Sequence, residues 1–384
     1  MPCPICNSLN ISILFDRKNV PVHQNLVYSN KLLSTMAKKG DLTITICKAC
    51  GFIFNPSFDI SKLDYGDDYD NTQDTSPNFS SYLDELSKNL LIQKKIKKNI
   101  IVEIGCGKGA FLKKLVDNKY ENIGIGFDPS YVGDLELLDG RLKFYKTFYD
   151  KNSSKINADV IICRHVIEHI SEPVKLLKQI RNSLNSQNAR VFFETPTVNW
   201  ILQNQVIYDF FYEHCSYFSP SSLKTAFQIS GFEVKNIDLT FGGQYMWLEA
   251  AIPLSKEIKI TKNPTKTIEL ANKFSSVEND LRSKYHERIK MLSTHGKIAV
   301  WGAGAKGVTF TNLMDKTHKY IDSIIDLNPN LIGKFLPGTG HPIISYDQIQ
   351  DRGIKNIFLM NPNYYKENLQ LLTNEKINVN LIHG

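Results

Sequence analysis

The sequence predicts an α/β protein of three domains: an N-terminal four-cysteine domain, a central doubly wound Rossmann-like domain, and a smaller Rossmann-like domain at the C-terminus. Two Cys-x-x-Cys pairs, two strand–glycine turn–helix segments, and a long polar stretch without Pro or Gly between those segments predict this arrangement. The expected parts are the four-cysteine domain at 1–56, a connector and helix over the active site at 57–97, the central domain at 98–264, a linking helix at 265–293 and the C-terminal domain at 294–384.

Composition is that of an ordinary soluble protein, with 42% hydrophobic and 22% charged residues. No apolar run reaches the length of a membrane span, and the N-terminus lacks the pattern of a secretory signal, so we expect a cytoplasmic protein without a membrane partner. The net charge of +7 is spread along 384 residues. That distribution favours a solvated lysine-rich surface over a nucleic-acid footprint, while anionic small molecules stay compatible with it. Three packed domains can stand as a monomer.

Four of the seven cysteines form two tight pairs, Cys3 with Cys6 and Cys47 with Cys50. Disulfides are out of place in the cytoplasm, so the pairs indicate metal. Two such knuckles supply four thiolates, the tetrahedral set that structural Zn²⁺ prefers. Four cysteines fill the coordination shell, so we expect the zinc to be structural. The alternative is two unrelated cysteine pairs in a reduced domain.

The central domain opens with a strand, a glycine turn and a helix. Gly105 and Gly107 allow a sharp bend and close approach of a ligand. A turn of this kind can equally bind a dinucleotide. Glu103, just ahead of the turn, would crowd a pyrophosphate but suits a cationic amino-acid ligand. Asp128 ends the next strand, where an acid can accept hydrogen bonds from both ribose hydroxyls.

The same domain carries four motifs in order: "VEIGCGKG", "GFDPS", "DVIICRHVIEHI" and "FFETP". Their order and spacing resemble a class I S-adenosylmethionine-dependent methyltransferase. The resemblance implies that Glu103 and the two glycines of the turn border the methionine part of S-adenosylmethionine. It also implies that Asp128 holds the ribose. Phe148 and Tyr149 fall where that family packs adenine, although both could be ordinary core aromatics.

The whole-chain order resembles the nucleotide-sugar C-methyltransferases, which act on 4-keto-deoxysugars carried on a nucleoside diphosphate. In that family an adjacent Glu-His supplies the general base, and Glu213 and His214 match it by position. His169 matches a histidine of the pocket wall, with a structural histidine as the alternative. Tyr69 matches a connector tyrosine that lies over the substrate.

The Glu-His pair suits carbon methylation. A carbon beside a carbonyl becomes nucleophilic only after it loses a proton, so the reaction needs a base near the sugar. A histidine that titrates near neutral pH and is oriented by a carboxylate fits that task. The enediolate so formed would attack the methyl group in line. The alternative for the pair is a surface turn or a satisfied buried histidine.

Two departures from the family pattern concern the acceptor. The tyrosine expected three positions before the histidine is Phe211, and the hydroxyl lies one position later, on Tyr212. In "FGGQYMWLEA", Gln244 and Tyr245 replace groups expected near the substrate. We expect these three polar residues to contact the acceptor. The departures leave O-methylation of a sugar or glycan precursor as an alternative.

The second glycine turn, "GAGAKG", begins the C-terminal domain. Gly302, Gly304 and Lys306 are expected to hold a diphosphate, the lysine by its charge and the glycines through exposed N–H groups. Asn361 keeps the amide of the family's Trp-Asn pattern. Asp326 ends the next strand, so an NAD-dependent oxidoreductase is an alternative, as are a purely structural domain and a zinc-ribbon nucleic-acid binder.

Overall fold

The structure, a computed structural model, describes residues 1–63, 76–150, 153, 156–184, 186–254 and 257–383. Within these ranges the chain forms three β-sheets with helices packed against them, which confirms the predicted α/β class. Among the described residues, no helix is both long and apolar enough to cross a membrane.

The strands are numbered along the chain. They are β1 (Ile11–Pro21), β2 (Lys39–Cys47), β3 (Ile53–Phe54), β4 (Ile100–Ile104), β5 (Ile123–Phe127), β6 (Glu136–Leu137), β7 (Leu142–Tyr145), β8 (Val160–Arg164), β9 (Arg190–Pro196), β10 (Ser216–Tyr217), β11 (Glu233–Thr240), β12 (Tyr245–Ala251), β13 (Lys297–Trp301), β14 (Ile321–Ile325), β15 (Ile343–Ile344), β16 (Ile354–Leu359) and β17 (Asn380–His383). The helices are α1 (Lys31–Thr35), α2 (Pro77–Lys88), α3 (Ala110–Val116), α4 (Pro173–Ser183), α5 (Val198–Gln203), α6 (Pro220–Ile229), α7 (Thr265–Ser293), α8 (Ala305–Met314) and α9 (Tyr365–Asn374). A π turn spans Asn89–Gln93, and short 3-10 turns span Ile60–Lys62, Ile167–His169, Ile207–Asp209, Phe241–Gly243, Tyr346–Gln348 and Pro362–Tyr364.

The N-terminal sheet has the order β1–β2–β3–β10 and is antiparallel. Its last strand comes from the middle of the chain, where Ser216 pairs with Phe54 and Tyr217 with Ile53. The segment that contains Glu213 and His214 immediately precedes this strand. The N-terminal domain therefore determines where that segment lies.

The central sheet has the order β11–β12–β9–β8–β4–β5–β7–β6. Strands β4, β5, β7, β8 and β9 are parallel, whereas β11, β12 and β6 run antiparallel to their neighbours at the two edges. The inner strands are nearly continuous apolar runs, as expected for parallel strands covered on both faces. Their carboxyl ends share one edge of the sheet, where such folds bind ligands.

The C-terminal sheet is parallel, with the order β15–β14–β13–β16–β17, and confirms the predicted second Rossmann-like domain. Helix α7 covers the stretch expected to be a linking helix. Its Phe274 belongs to one core with Leu42 of the N-terminal sheet and Phe310 of α8. Glu278 of the same helix accepts a hydrogen bond from Arg17 Nη2 at 2.7 Å, and both side chains are buried. The helix therefore joins the two outer domains.

Candidate functional site

A cavity of about 490 Å³ lies between the central and C-terminal sheets. Its wall includes the glycine turn before α3, the loops after β8 and β9, the segment before β10 and the glycine turn before α8. Most of the expected site residues line it: Glu103, Gly105, Gly107, Asp128, His169, Glu213, His214, Gln244, Tyr245, Gly302, Gly304, Lys306 and Asn361. Residues from three separate sequence regions thus meet in one space.

The first glycine turn needs its glycines for different reasons. Gly105 has φ +70°, and a Cβ there would lie 2.1 Å from Val166 Cγ2. Gly107 has φ +54°, but a Cβ there would meet no atom within 4 Å. Asp128 Oδ2 accepts a hydrogen bond from Gly107 N at 2.8 Å, and Ser130 N donates to Oδ1 at 2.8 Å. The Asp128 carboxylate is therefore held beside the turn, with open space next to Gly107.

Glu103 lines the cavity at the end of β4, yet its side chain is only 2% exposed. Its Oε2 atom is buried without a hydrogen-bond partner among the described residues. Burial raises the pKa of Glu103 to about 8, an effect that the Arg164 charge opposes. A buried carboxylate oxygen without a donor is unfavourable unless a ligand supplies one. This position therefore suits a cationic ligand group.

The Glu213–His214 pair is anchored on the N-terminal domain. Gln24 N donates to Glu213 Oε1 at 3.1 Å, and Gln24 Oε1 accepts from Glu213 N at 3.3 Å. The Glu213 side chain is fully buried, so its carboxylate positions the backbone beside His214. The His214 ring packs on Phe211, with centroids 4.1 Å apart. The burial of this segment does not fit the alternative of a surface turn, whereas a satisfied buried histidine stays compatible with it.

His214 also meets His169 edge-to-face, with ring centroids 4.7 Å apart. Burial lowers the pKa of His214 well below its usual value, and the charge of His169 adds to the effect. Burial likewise lowers the pKa of His169. One nitrogen or oxygen atom each of Glu168, His169 and His214 lies within 4.8 Å of the others. Two neutral imidazoles beside a carboxylate can accept and pass on a proton.

Comparison with known proteins matches two stretches of the chain, and residues of both line the cavity. Residues 77–237 match the family model described as a methyltransferase domain. Residues 256–376 match the model described as a C-methyltransferase C-terminal domain. The chain therefore contains a methyltransferase domain. The second match includes α7 and the sheet that carries the second glycine turn.

Two curated relatives illustrate the similarity. A tRNA U34 carboxymethyltransferase from Campylobacter fetus is 31% identical over 26% of this chain and 37% of its own length. The C-methyltransferase NovU from Streptomyces niveus is 25% identical over 57% of this chain and 54% of its own length. The chain thus spans about a third to a half of these relatives.

Among solved structures, magnesium protoporphyrin IX methyltransferase from Synechocystis PCC 6803 with bound SAH is 16% identical, with a TM-score of 0.36. The similarity covers 46% of this chain and 84% of that protein. It is too weak to add to the assignment of the methyltransferase domain.

The four expected zinc ligands lie together at the start of the chain. The Cys3 and Cys50 sulfurs are 3.7 Å apart, those of Cys6 and Cys47 are 3.6 Å apart, and all four lie within 4.8 Å of one another. Zn–S bonds of about 2.3 Å place the thiolates of a tetrahedral site about 3.8 Å apart. The four sulfurs therefore have the spacing of a structural metal site, and they lie in the core between the N-terminal domain and the methyltransferase domain.

The sequence did not predict a network of polar side chains in the methyltransferase domain. Glu194 Oε2 accepts from Arg164 Nε at 2.7 Å, and the Tyr82 hydroxyl donates to the other Glu194 oxygen. His165 lies between Glu194 and Glu168, 3.4 Å from an oxygen of each. Burial opposes the ionisation of Glu194, but the charges of Arg164 and His165 lower its pKa to about 2. The sequence did carry one indication of this network, namely charged residues at the ends of otherwise apolar strands in "ICRHVIEH" and "FFETP".

The second glycine turn repeats the geometry of the first. Ala303 N donates to Asp326 Oδ2 at 2.7 Å, as Gly107 N does to Asp128. Lys306 lies 5.1 Å from the Trp200 ring centroid, and its Nζ is 2.9 Å from Asp209 Oδ2. This lysine, expected to hold a diphosphate, is thus already paired with a carboxylate of the cavity wall.

The two domains also meet at the expected acceptor residues. Gln244 Nε2 donates to Asn361 Oδ1 at 2.8 Å, and Asn363 Nδ2 donates to the Phe241 carbonyl at 2.7 Å. The Tyr245 ring packs edge-on against the methyltransferase domain, 4.6 Å from the His165 ring centroid. These bonds close one side of the cavity.

The expected adenine contacts are not supported. Phe148 lies outside the cavity, with its side chain 66% exposed. The Tyr149 hydroxyl donates to Ser183 Oγ at 2.8 Å, and its ring packs edge-on against Phe127. Tyr149 therefore packs against the core that contains Phe127, which agrees with the alternative that the sequence left open for it.

The expected acceptor tyrosine, Tyr212, also lies elsewhere. The Tyr212 hydroxyl accepts from Asp59 N at 2.8 Å, and its ring packs against Phe58, so it faces the N-terminal domain. Phe211, its neighbour, lines the cavity instead. The acceptor contact expected of Tyr212 is therefore wrong. Tyr69 lies outside the described residues.

Proposed function

We propose that the protein is an S-adenosylmethionine-dependent methyltransferase that methylates a carbon atom of a nucleotide-linked 4-keto-deoxysugar. The observation that carries the proposal is the shared cavity, in which the turn at Gly107, the imidazole of His214 and the turn at Gly302 face one space. The match to a C-methyltransferase C-terminal domain and the similarity to NovU support transfer to carbon. A structural Zn²⁺, a cytoplasmic location and the absence of a nucleic-acid partner belong to the same proposal.

The residues around the first glycine turn fit S-adenosylmethionine. Glu103 Oε2, which has no hydrogen-bond partner in the described part of the chain, would accept a hydrogen bond from the ammonium group of the cofactor. The open space beside Gly107 would admit the methionine part of the cofactor. Asp128 would face the ribose hydroxyls. The cofactor supplies an electrophilic methyl group when bound.

His214 is the proposed proton acceptor. Its lowered pKa leaves the imidazole neutral at pH 7, so it can take a proton from the carbon beside the ketone. Glu213 and Gln24 hold the segment in place, and His169 lies where it can share the proton. The apolar ring of Phe211 against His214 limits access of water.

The acceptor would extend towards the C-terminal domain. The N-terminus of α8, which follows Gly304, offers backbone N–H groups to a diphosphate. Gly302 N does not take part, because it donates to the Ile325 carbonyl at 2.8 Å. Lys306 would exchange Asp209 for the phosphate oxygens. Gln244, Tyr245 and Asn361 would contact the sugar.

The test follows deuterium uptake into a dTDP-linked 4-keto-6-deoxysugar in D₂O, measured by mass spectrometry without the methyl donor. We expect wild-type protein to catalyse exchange beside the ketone and His214→Asn to lose about 100-fold or more of the rate, because a general base contributes about that much. His286→Asn, at an exposed position of α7, is the matched control and should exchange at the wild-type rate.

An O-methyltransferase is the alternative, since O-methylation requires no deprotonation at carbon. Methyl transfer without any enzyme-catalysed deuterium uptake would support it and contradict carbon methylation. The similarity to tRNA U34 carboxymethyltransferases covers only 26% of the chain, so it does not favour an RNA acceptor. Full exchange activity in His214→Asn would show that another group is the base.

A further inference from the structure

His165 occupies an unusual position in the cavity wall. It follows β8 directly and has φ +53°, a left-handed conformation that is uncommon for residues other than glycine. Residues held in this region cluster at functional sites, where the surrounding structure maintains the strain. The side chain is 26% exposed and lines the cavity. The strained backbone of His165 therefore places its imidazole in the wall of the cavity.

Both ring nitrogens of His165 face carboxylates. Nδ1 lies 3.4 Å from Glu168 Oε1, and Nε2 lies 3.4 Å from Glu194 Oε2. A neutral imidazole has only one N–H, so it can donate to only one of the two. His165 Nε2 and Glu168 Oε1 are buried without a hydrogen-bond partner among the described residues, so the two carboxylates act on the ring through their charge. A carboxylate oxygen beside each ring nitrogen favours the imidazolium form, which carries an N–H on both.

The charges of the wall lead to the same form. Glu168 and Glu194 are fully buried carboxylates, and the cation paired with Glu194 is Arg164. A positive charge on His165 brings the net charge of these two carboxylates and two cations to zero. An uncompensated buried charge would be costly. Burial by itself would lower the pKa of His165, but Glu194 and Glu168 outweigh it and raise the pKa to about 9.

The network reaches the proton acceptor through Glu168. Thr195 Oγ1 donates to Glu168 Oε2 at 2.9 Å. The other carboxylate oxygen, Oε1, is the one that lies near His165. The same carboxylate belongs to the group of atoms within 4.8 Å that includes His169 and His214. A cation at His165 therefore holds the Glu168 carboxylate in place, and its own charge disfavours protonation of His214.

We propose that His165, held as a cation between Glu168 and Glu194, is a positioning residue for the proton acceptor His214. This inference rests on the proposed function. The charged and titratable groups that face His165 or His214 are Glu168, His169, Glu194, Tyr217, Tyr245 and Lys306, and Tyr82 and Arg164 contact Glu194.

The variant His165→Asn removes the charge, and Asn tolerates the left-handed backbone better than most residues. His214 must be neutral to accept a proton, so the exchange rate falls at low pH. Without the nearby cation, His214 protonates more readily. We therefore expect the acidic limb of the exchange rate to move up by about one pH unit, so that the rate on that limb falls about tenfold while the rate at pH 7 stays close to wild type. His165→Lys keeps a cation and should restore part of the rate.

Binding of S-adenosylhomocysteine, which should stay within twofold of wild type, checks that the variants fold. A purely structural role for His165 would lower the rate without moving the pH profile, and that result would overturn the inference. The inference would also be overturned if His165→Lys bound S-adenosylhomocysteine normally but had the same pH profile of exchange as His165→Asn.

A readout independent of activity uses full-length protein labelled with ¹⁵N-histidine. The His165 resonances, assigned by their loss in His165→Asn, should report both nitrogens protonated at pH 7. A neutral His165 at pH 7 would overturn the inference whatever the substrate is. A protonated His165 in a protein that shows no carbon exchange would instead count against the proposed carbon methylation.

Discussion

The charge of the Glu103 carboxyl depends on what occupies the cavity. With no donor at Oε2 its pKa is about 8, so the group is protonated at neutral pH in the ligand-free protein. A cationic ligand binds the ionised form, so binding releases a proton below pH 8. Affinity for S-adenosylhomocysteine should therefore rise with pH, by up to about tenfold per unit between pH 6 and 8, and then level off.

Isothermal titration calorimetry across this pH range measures the effect. Glu103→Gln keeps the shape of the side chain but cannot ionise, so its affinity should be lower at pH 8 and should lack this pH dependence. Titration of the ligand's own amino group is common to both proteins and cancels in the comparison. Parallel pH profiles for the two proteins would contradict a contact between Glu103 and the ligand ammonium.

Residues carried by a local motif were predictable, whereas residues that meet across strands were not. Glu103, Gly107 and Asp128 follow from strand–turn–helix patterns, and they do line the cavity. His165 needs two carboxylates from different elements, and this pairing depends on β8 lying beside β9. The choice between Phe211 and Tyr212 depended on the direction of one backbone segment, which motif spacing does not encode.

At the scale of the strand–turn–helix element, the two glycines of the first turn should respond differently to the same substitution. Gly105→Ala places a methyl group about 2.1 Å from Val166 in a left-handed conformation. Gly107→Ala has the same backbone cost, about 1–2 kcal/mol, but no steric clash. We expect Gly105→Ala to lower the melting temperature markedly more, and Gly107→Ala to weaken S-adenosylhomocysteine binding while the fold is kept.

Thermal denaturation together with ligand titration separates the two effects. The pair controls for helix propensity and for backbone strain, since both residues lie in one turn with positive φ. Equal losses of melting temperature would argue that the cavity beside Gly107 is not open space for a ligand.

Long, uninterrupted elements were the easiest to predict. Helix α7 spans Thr265–Ser293, where the sequence has neither Pro nor Gly, and it covers the stretch expected to be a linking helix. The two-residue strand β10 was missed because its pairing with β3 joins residues far apart in the chain. Nothing in "CSYFSP" distinguishes a strand from a loop before the N-terminal sheet is in place.

At the scale of the whole molecule, that missed pairing connects the cysteine cluster to the proton acceptor. Cys47 ends β2, and Cys50 precedes β3. Strand β3 pairs with β10, which begins two residues after His214. Gln24, from the same domain, bonds to Glu213. A metal that holds the four cysteines together would thus stabilise the segment carrying the base, although it lies outside the cavity.

Loss of the metal should therefore impair the base more than the cofactor site. In Cys6→Ser we expect lower zinc content by elemental analysis and carbon-exchange activity reduced about tenfold or more, because structural zinc contributes directly to folding. Affinity for S-adenosylhomocysteine should change less than threefold, since the first glycine turn belongs to the central sheet. Cys6→His is the matched variant, because three cysteines and one histidine also form a structural zinc set. It should retain both metal and exchange. A Cys6→Ser protein that lacks zinc but exchanges at the wild-type rate would show that the N-terminal domain positions His214 without a metal ion.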